Sequence, residues 1–250
     1  VLEPDSGMLA CGYTGQGKFP PVEEILWAIR LYLDYKQDLQ GIKVLLTAGA
    51  CVENIDPMRC ITNRSSGKMG LALARALYLR GAELTLIHAQ MEAKAPYYLH
   101  KVIRAESAAE MNEAVSANRK DQDWIIMCAA VSDFTPETKA IDKIKKGKDI
   151  SLKLVQTRDI LAGLGSQKYA KQLLIGFAAE TRDLDKNAKA KLEKKNLDLI
   201  AVNHLKVAGS EDTSLNVISS KQSTNLQGDK FTVALGLIDI IMKTKQAKSK

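Results

Sequence analysis

The sequence predicts an α/β fold: a doubly wound, mainly parallel sheet with a late β-hairpin extension. Three observations carry that expectation. Short apolar runs of strand length recur along the chain, at 43–48, 83–88, 124–131, 173–179 and 197–202. Segments with apolar residues at helical spacing lie between them, and strands alternating with helices indicate a parallel sheet covered on both faces. The chain of 250 residues is 46% hydrophobic and 26% charged, enough apolar material for one large core in an ordinary globular protein.

Residues 1–41 differ from the rest. Gly7, Gly12, Gly15 and Gly17 crowd a stretch that cannot be one regular element, because glycine there costs backbone entropy, and Pro20 and Pro21 end it. Ile25, Ala28, Ile29, Tyr32 and Leu33 then recur at helical spacing, predicting a helix over 22–36. Residues 37–41 read as a linker. The alternation starts at 43–48 with K-V-L-L-T-A, an apolar strand of the type buried on both faces. A helix over 67–80 puts Met69, Leu73, Ala76 and Leu77 on one face. After strand 83–88, a helix over 107–118 opens with S-A-A-E, a capping-box signature. Strand 124–131, strand 173–179, helix 184–195 and strand 197–202 complete a Rossmann-like pattern. Two stretches break it. Residues 134–147 are polar and lysine-rich, which predicts a mobile loop. Residues 216–235 hold short β-like runs around Gly228 and Asp229, which predict a hairpin ahead of a helix over 235–243. The basic residues 244–250 read as a disordered tail.

No apolar run approaches the roughly 18 residues of a membrane helix. The N-terminus has neither the basic nor the apolar region of a signal peptide; it opens without Met, as the back of a longer chain would. Cys11, Cys51, Cys60 and Cys128 have no C-x-x-C spacing and no neighbouring His. Neither a zinc site nor a disulfide framework is indicated, and reduced thiols in a cytoplasmic protein are expected. No metal held by protein side chains is expected. The net charge of +7 is concentrated near 143–148 and 243–250 and favours an anionic partner. Aromatics are 5% and are not interleaved with the basic runs, which disfavours stacking on single-stranded bases. Small phosphorylated ligands are expected, with no nucleic acid and no membrane.

In open parallel sheets, ligands bind beyond the carboxyl ends of the strands. Residues 47–70 follow the first strand and lead into a helix N-terminus, where free amides favour an anion. Ser65, Ser66 and Gly67 suit a tight phosphate-facing turn, and Arg64 and Lys68 add charge. The alternative is an ordinary helix capped by Ser65 or Ser66 with Lys68 solvated. It is not a Walker A loop, since Met69 stands where Ser or Thr is required, and no G-x-G-x-x-G follows any strand. Asp133, ending A-A-V-S-D, can accept from ribose or base, or cap a turn. Lys143, Lys145, Lys146 and Lys148 form a flap over phosphates or a solvated face. Lys191 and Lys195, four apart on one helix face, point at a ligand or at solvent. His88, His100 and His204 are isolated and carry no assigned chemistry.

Together these segments resemble one family. The run D-P-M-R-C-I-T-N-R-S-S-G-K-M-G at 56–70 closely resembles the signature of phosphopantothenate–cysteine ligases, D-P-V-R-x-I-S-N-x-S-S-G-K-M-G. A-A-V-S-D at 129–133, K-I-K-K at 143–146, R-D-I-L at 158–161, G-F-A-A-E-T at 176–181 and A-V-N at 201–203 follow in the family's order over 42–243. A second resemblance lies at 4–17, P-D-S-G-M-L-A-C-G-Y-T-G-Q-G, which is similar to the end of phosphopantothenoylcysteine decarboxylase, fused ahead of the ligase in many bacteria. The resemblance makes 1–36 the remnant of that decarboxylase domain, 37–41 the linker and 42–243 the ligase domain. The decarboxylase proton donor falls on Cys11, expected to be idle without the flavin-binding fold, so no FMN is expected on this piece.

The resemblance implies a two-step ligation in coenzyme A synthesis. The carboxylate of 4′-phosphopantothenate attacks the α-phosphate of CTP and releases pyrophosphate; the amine of L-cysteine then displaces CMP from the acyl-cytidylate. An anion attacking a polyanion needs cationic clamps and Mg²⁺. By the same resemblance Lys143 stabilises the α-phosphate, Asn63 holds the acyl-cytidylate and Arg59 acts beside it. Met127, Cys128, Ala129 and Asp133 read the nucleotide, with further contacts from Arg158, Asp159, Ile160, Leu161, Phe177, Lys191 and Lys195. Ser65, Ser66, Gly67, Lys68 and Ala130 hold phosphate or substrate. A homodimer with its site near the subunit interface is expected. Two departures stand out: Ala50 and Cys51 replace the usual Gly-Thr, which questions any backbone needing glycine at 50, and Arg158 stands where Pro is usual. A nicotinamide-dependent oxidoreductase would share the fold but lacks its glycine fingerprint. A basic nucleic-acid-binding module would explain the charge and predicts salt-dependent binding.

Overall fold

The computed structural model describes residues 4–22, 25–26, 29, 36–96, 99, 101–147, 149–180, 184–204 and 212–248. At the N-terminus β1 (Asp5–Met8) and β2 (Thr14–Lys18) pair antiparallel in a hairpin of their own. Most of the helix expected over 22–36 lies outside the described residues; Val22, Ile25, Leu26 and Ile29 are helical. β3 (Lys43–Ala48) is buried from Val44 onward. β4 (Val52–Asp56) and β5 (Arg59–Thr62) form a second hairpin, which the sequence reading did not anticipate. Next come α1 (Lys68–Leu79), β6 (Glu83–His88), β7 (Lys101–Arg104), α2 (Ala108–Asn118) and β8 (Trp124–Met127). β9 (Phe134–Pro136) and β10 (Leu154–Gln156) pair antiparallel. The chain ends with α3 (Ile160–Ser166), β11 (Leu173–Glu180), α4 (Leu184–Lys194), β12 (Leu199–His204), β13 (Asp212–Ile218), β14 (Ser223–Asp229) and α5 (Lys230–Lys248).

The main sheet has eight strands in the order β14-β13-β12-β11-β8-β3-β6-β7. From β12 to β7 every pairing is parallel; β13 and β14 extend one edge antiparallel. Side chains alternate faces along a strand, so β3 sends Val44, Leu46 and Ala48 to one layer and Leu45 to the other. The first layer is closed by Leu73 and Leu77 of α1 with Leu237 and Ile241 of α5. The second is closed by Met111 and Val115 of α2, Ile160 and Leu164 of α3 and Leu192 of α4. That is the doubly wound arrangement.

Three expectations are corrected. Gly228 and Asp229 do not form the late hairpin turn. The turn lies at 219–222, where Ser219 N donates to Gln222 O at 2.9 Å and the Ser219 hydroxyl accepts from Lys221 N and Gln222 N. Asp229 instead caps α5, its Oδ1 accepting from Phe231 N at 2.9 Å and Thr232 N at 3.0 Å, a role its short carboxylate fills well. The final helix therefore starts earlier than 235, and 244–248 of the supposed disordered tail continue it. Lys245 pairs with Asp123 at 3.2 Å and Lys248 pairs with Asp198. Residues 134–147 are not a detached loop either. β9 is paired, Ala140 N donates to Ile55 O at 2.9 Å, and Ile144 N donates to Asp56 Oδ2 at 3.1 Å.

The turn at 37–41 is tied down. Leu39 is 1% exposed, and the guanidinium of Arg80, at the C-cap of α1, meets Asp38 at 2.6 Å and Asp239 of α5 at 2.5 Å. Removing the cation strands two partly shielded carboxylates, so Arg80→Met is expected to lose about 2 kcal/mol of stability by denaturant titration at neutral pH. Hydrogen bonding from Arg80 outweighs burial and holds the Asp38 carboxyl below its ordinary value. That contribution is complete above the unfolded carboxylate pKa of about 4 and is lost as the pH falls through the depressed folded value. The variant should lose this part of the acid dependence.

Candidate active site

All the parallel strands end on one side, and the segments leaving them enclose a cleft of about 990 Å³. The first wall starts at Gly49, whose φ is 86°, and where a Cβ would stand 2.5 Å from Gln90 O. Glycine is thus required at 49 and not at 50. Ala50 sits in two single bridges, to Gln90 and Ala130, so the departure there leaves the backbone intact. The same wall continues through Asn63, Arg64, Ser65, Ser66, Gly67 and Lys68 into α1. The cap of α1 is Gly67, at φ 75°, with no side-chain hydrogen bond, rather than Ser65 or Ser66. A Cβ at Gly67 would stand 2.7 Å from Met91 Cγ. Lys68 N lies 3.4 Å from Ser66 Oγ, at the limit of a hydrogen bond, so the first turn of α1 opens on the cleft with its dipole largely unanswered by side chains.

The second wall is the segment after β8. Ala129 N donates to Thr47 Oγ1 at 3.1 Å, and Asn63 Nδ2 donates to Ala130 O at 3.2 Å. Met127, Cys128, Ala129, Ala130 and Asp133 all line the cleft. The third wall is 156–161 with Phe177 from β11, Lys191 from α4 and Lys195 just past its C-terminus. Asp159 caps α3 by accepting from Ala162 N at 2.9 Å, and its other oxygen pairs with Lys195 Nζ at 2.8 Å. Burial opposes its charge, but Lys195 and the Ala162 amide outweigh that and hold its carboxyl below the usual range. Asp159 is therefore already engaged by protein groups. Among the described residues, no group of three or more His, Cys, Asp or Glu side chains is placed to hold a metal ion.

Asn63, Ser65 to Lys68, Asp133, Arg158 to Leu161, Phe177, Lys191 and Lys195 thus share one cleft. Arg59 and Lys143 do not. They line a second groove of about 760 Å³ at the tip of the β4–β5 hairpin, with Met58, Ile144, Lys145, Lys146, Gly147 and Ile150. Cys11 is exposed, near the β1–β2 turn, and lines neither. Sequence reasoning missed Ser132, Thr157, Asn203 and Lys230 as lining residues of the cleft. Ser132 and Asn203 lie inside motifs that were recognised, A-A-V-S-D and A-V-N, and Thr157 immediately precedes a third; Lys230 is brought in only by the packing of α5 and carries no sequence signal.

The family described as DNA/pantothenate metabolism flavoprotein C-terminal domain matches residues 39–244. The chain belongs to this family. Its relatives include the coenzyme A biosynthesis bifunctional protein CoaBC of Haemophilus influenzae, 39% identical over 98% of this chain and 62% of that protein. The chain thus spans about three fifths of that relative's length. The crystal structure of the C-terminal domain of a CoaBC superposes with a TM-score of 0.73 at 33% identity, over 86% of this chain and 100% of that one. A Cab2 mutant in complex with phosphopantothenate-cysteine superposes with a TM-score of 0.70, over 92% of this chain and 95% of that one; at 15% identity it shows the fold alone.

Burial pushes the Cys128 thiol in the cleft up to about 12. Burial, with the charges of Glu53 and Glu110, does the same for Cys51. Both should be protonated and slow to react at neutral pH, whereas Cys11 and Cys60 are exposed. Titration with a thiol-specific disulfide reagent should therefore give two fast equivalents in native protein and four after denaturation.

Proposed function

We propose that the chain is a phosphopantothenate–cysteine ligase that uses CTP, forms an acyl-cytidylate and transfers the acyl group to the amine of L-cysteine. The observation that carries this reading is the convergence of Asn63, the Ser65–Lys68 turn, Asp133, Lys191 and Lys195 on one cleft. Its volume of about 990 Å³ lies at the upper end of the usual ~300–1,000 Å³ of small-molecule sites. On this reading the nucleoside lies along the backbone of 127–129 with Asp133 accepting from it. Its phosphates meet the first turn of α1, Arg64 and Lys68 from one side and Lys191 and Lys195 from the other. Asn63 holds the acyl-phosphate end, its amide being within reach of the Ala130 carbonyl that lines the same wall. Mg²⁺ would come with the triphosphate, since the phosphate end is lined by cations and helix amides rather than by a cluster of acidic ligands; bound there, it would neutralise charge on the phosphates.

The separate groove bearing Arg59 and Lys143 supports a homodimer in which the hairpin tip of one copy meets the cleft of another, giving a site built from two chains. The residues ahead of 37, with Cys11, belong to the end of a preceding decarboxylase domain and hold no FMN by themselves. Among the described residues no helix is long and apolar enough to cross a membrane; the cytoplasm, where coenzyme A precursors are made, is the proposed location.

With CTP, Mg²⁺ and phosphopantothenate, the protein should release pyrophosphate before cysteine is added; no release with any nucleotide would refute the ligase reading. Lys143→Gln should slow that release about 100-fold or more, as loss of one preorganised charge donor does elsewhere. Co-expressing Lys143→Gln with Asn63→Ala should restore about a quarter of wild-type turnover if sites form across a twofold axis. No recovery would place both residues in one chain's site.

A further inference from the structure

Asp56 lies outside the cleft, yet it is the most heavily engaged carboxylate in the hairpin. Its side chain is fully buried at the end of β4, beside an Arg59 side chain that is 45% exposed. The two carboxylate oxygens do different work. Oδ1 accepts from Met58 N and Arg59 N, both at 2.8 Å, which closes the hairpin's own turn. Oδ2 accepts from Arg59 Nε at 3.0 Å and, across a separation of 88 residues, from Ile144 N at 3.1 Å. Arg59 Nη2 then donates to Ile144 O at 2.6 Å. Both backbone polar groups of Ile144 are thus held by the hairpin tip, and Lys143 is the residue before it. Closing the turn explains Oδ1 alone; it gives no account of Oδ2.

We propose that Asp56 is a positioning residue for Lys143, latching the lysine segment through Arg59 and Ile144 to the β4–β5 hairpin so that Lys143 travels with that hairpin as a fixed arm. The part Lys143 plays in turnover rests on the ligase reading above; the latch itself does not. Burial opposes the Asp56 charge, but the amides of Met58, Ile144 and Arg59 and the Arg59 side chain outweigh it and hold the carboxyl below its ordinary value. The latch is therefore charged at neutral pH. Three hydrogen bonds form it, each with an ionised donor or acceptor, the stronger class of protein hydrogen bond.

Asp56→Asn separates the two oxygens' roles. Its carbonyl can still accept from Met58 N and Arg59 N, while its NH₂ meets two donors, Arg59 Nε and Ile144 N, and the latch opens. Limited trypsin digestion, read by mass spectrometry at Lys143, Lys145 and Lys146, should run at least tenfold faster in Asp56→Asn than in wild type. Pyrophosphate release should fall at least tenfold in kcat, with KM for CTP changed less than threefold because the cleft is untouched. Arg80→Met, destabilised at the opposite end of the sheet, serves as the control and should leave the flap cleavage rate within twofold. Ile144→Pro, which removes the amide donor and keeps the carboxylate, should accelerate cleavage after Lys145 and Lys146 as Asp56→Asn does (trypsin does not cut a Lys–Pro bond, so Lys143 is not read in this variant), and decides the matter if Asp56→Asn fails to fold. Cleavage within twofold of wild type in a folded variant, or equal acceleration in Arg80→Met, would overturn the latch. Absence of pyrophosphate release from wild type would remove the ligase reading and leave the proteolysis result to judge the latch alone.

Discussion

The pairing of β3 with β8 continues past the ends of both strands, and the ligand end of the molecule depends on it. The register runs from Val44 against Trp124 to Thr47 against Met127. Beyond it, Ala130 N donates to Gly49 O at 2.8 Å and Cys51 N donates to Ala130 O at 3.0 Å, a last parallel bridge between Ala50 and Ala130. The Thr47 hydroxyl fixes Ala129 between these two ties. The signature segment and A-A-V-S-D therefore leave the sheet side by side, and Asn63 of the one can reach the backbone of the other. A slip of one residue would turn every apolar side chain of β3 to the wrong layer, so the buried core itself holds the two walls of the cleft in place.

The two edges of the sheet treat charge in opposite ways. Where the strands begin, Asp123 accepts from Lys43 N at 3.0 Å and Asp198 accepts from Leu174 N at 2.7 Å. These carboxylates also gather Lys168, Lys245 and Lys248. Lysines there are matched by acids, and they fasten α5 along the sheet. Where the strands end, Arg64, Lys68, Arg158, Lys191, Lys195 and Lys230 line one cleft in which Asp133 and Asp159 are the lining carboxylates. Part of the net +7 thus lies at the N-terminus of α1, an end whose dipole favours an anion. This clustering of positive charge at the cleft is what the proposed anionic ligand requires.

Elements buried on both faces were legible because their apolar runs have no other use: β3, β6, β11 and β12 fall within two residues of where the sequence puts them, and β8 starts at Trp124 as expected but stops at Met127 rather than 131. The cleft was legible for the same reason, since its residues follow those strands. The β4–β5 hairpin was not. V-E-N-I-D lacks the strict apolar–polar alternation of a half-buried strand, yet Glu53 is 2% exposed and Asp56 is 2% exposed. Glu53 accepts from Ala108 N at 2.7 Å and from Thr135 Oγ1 at 2.6 Å, partners 55 and 82 residues away. A buried carboxylate satisfied by distant donors leaves no periodic trace. The same distance hid the anchoring of 134–147, whose lysines suggested a loose flap until Asp56 and Ile55 supplied its partners. Gly228 and Asp229 misled in another way: a Gly-Asp pair suits a hairpin turn and a helix cap equally, and only the Ser219 turn, formed by hydroxyl-to-amide bonds, decides between them.

If Lys143 acts on phosphate as the ligase reading proposes, holding it on a fixed arm has a consequence for that chemistry. A lysine on a free lid must lose side-chain and backbone entropy in each catalytic cycle, about 1–2 kcal/mol for every residue whose backbone becomes ordered. On an arm already ordered by Asp56, Arg59 and the Ile144 backbone, that loss is met once, during folding, and the charge stands ready before the substrate arrives. Preorganised charge is what makes electrostatic stabilisation effective in a desolvated site. The arm has its own requirement, since Lys143 and Arg59 lie outside the cleft lined by Asn63 and Asp133. On the proposed ligase reading, a lysine fixed outside that cleft acts on it only where the hairpin as a whole is brought to it, and the proposed second copy of the chain would do so while leaving every hydrogen bond of the latch intact.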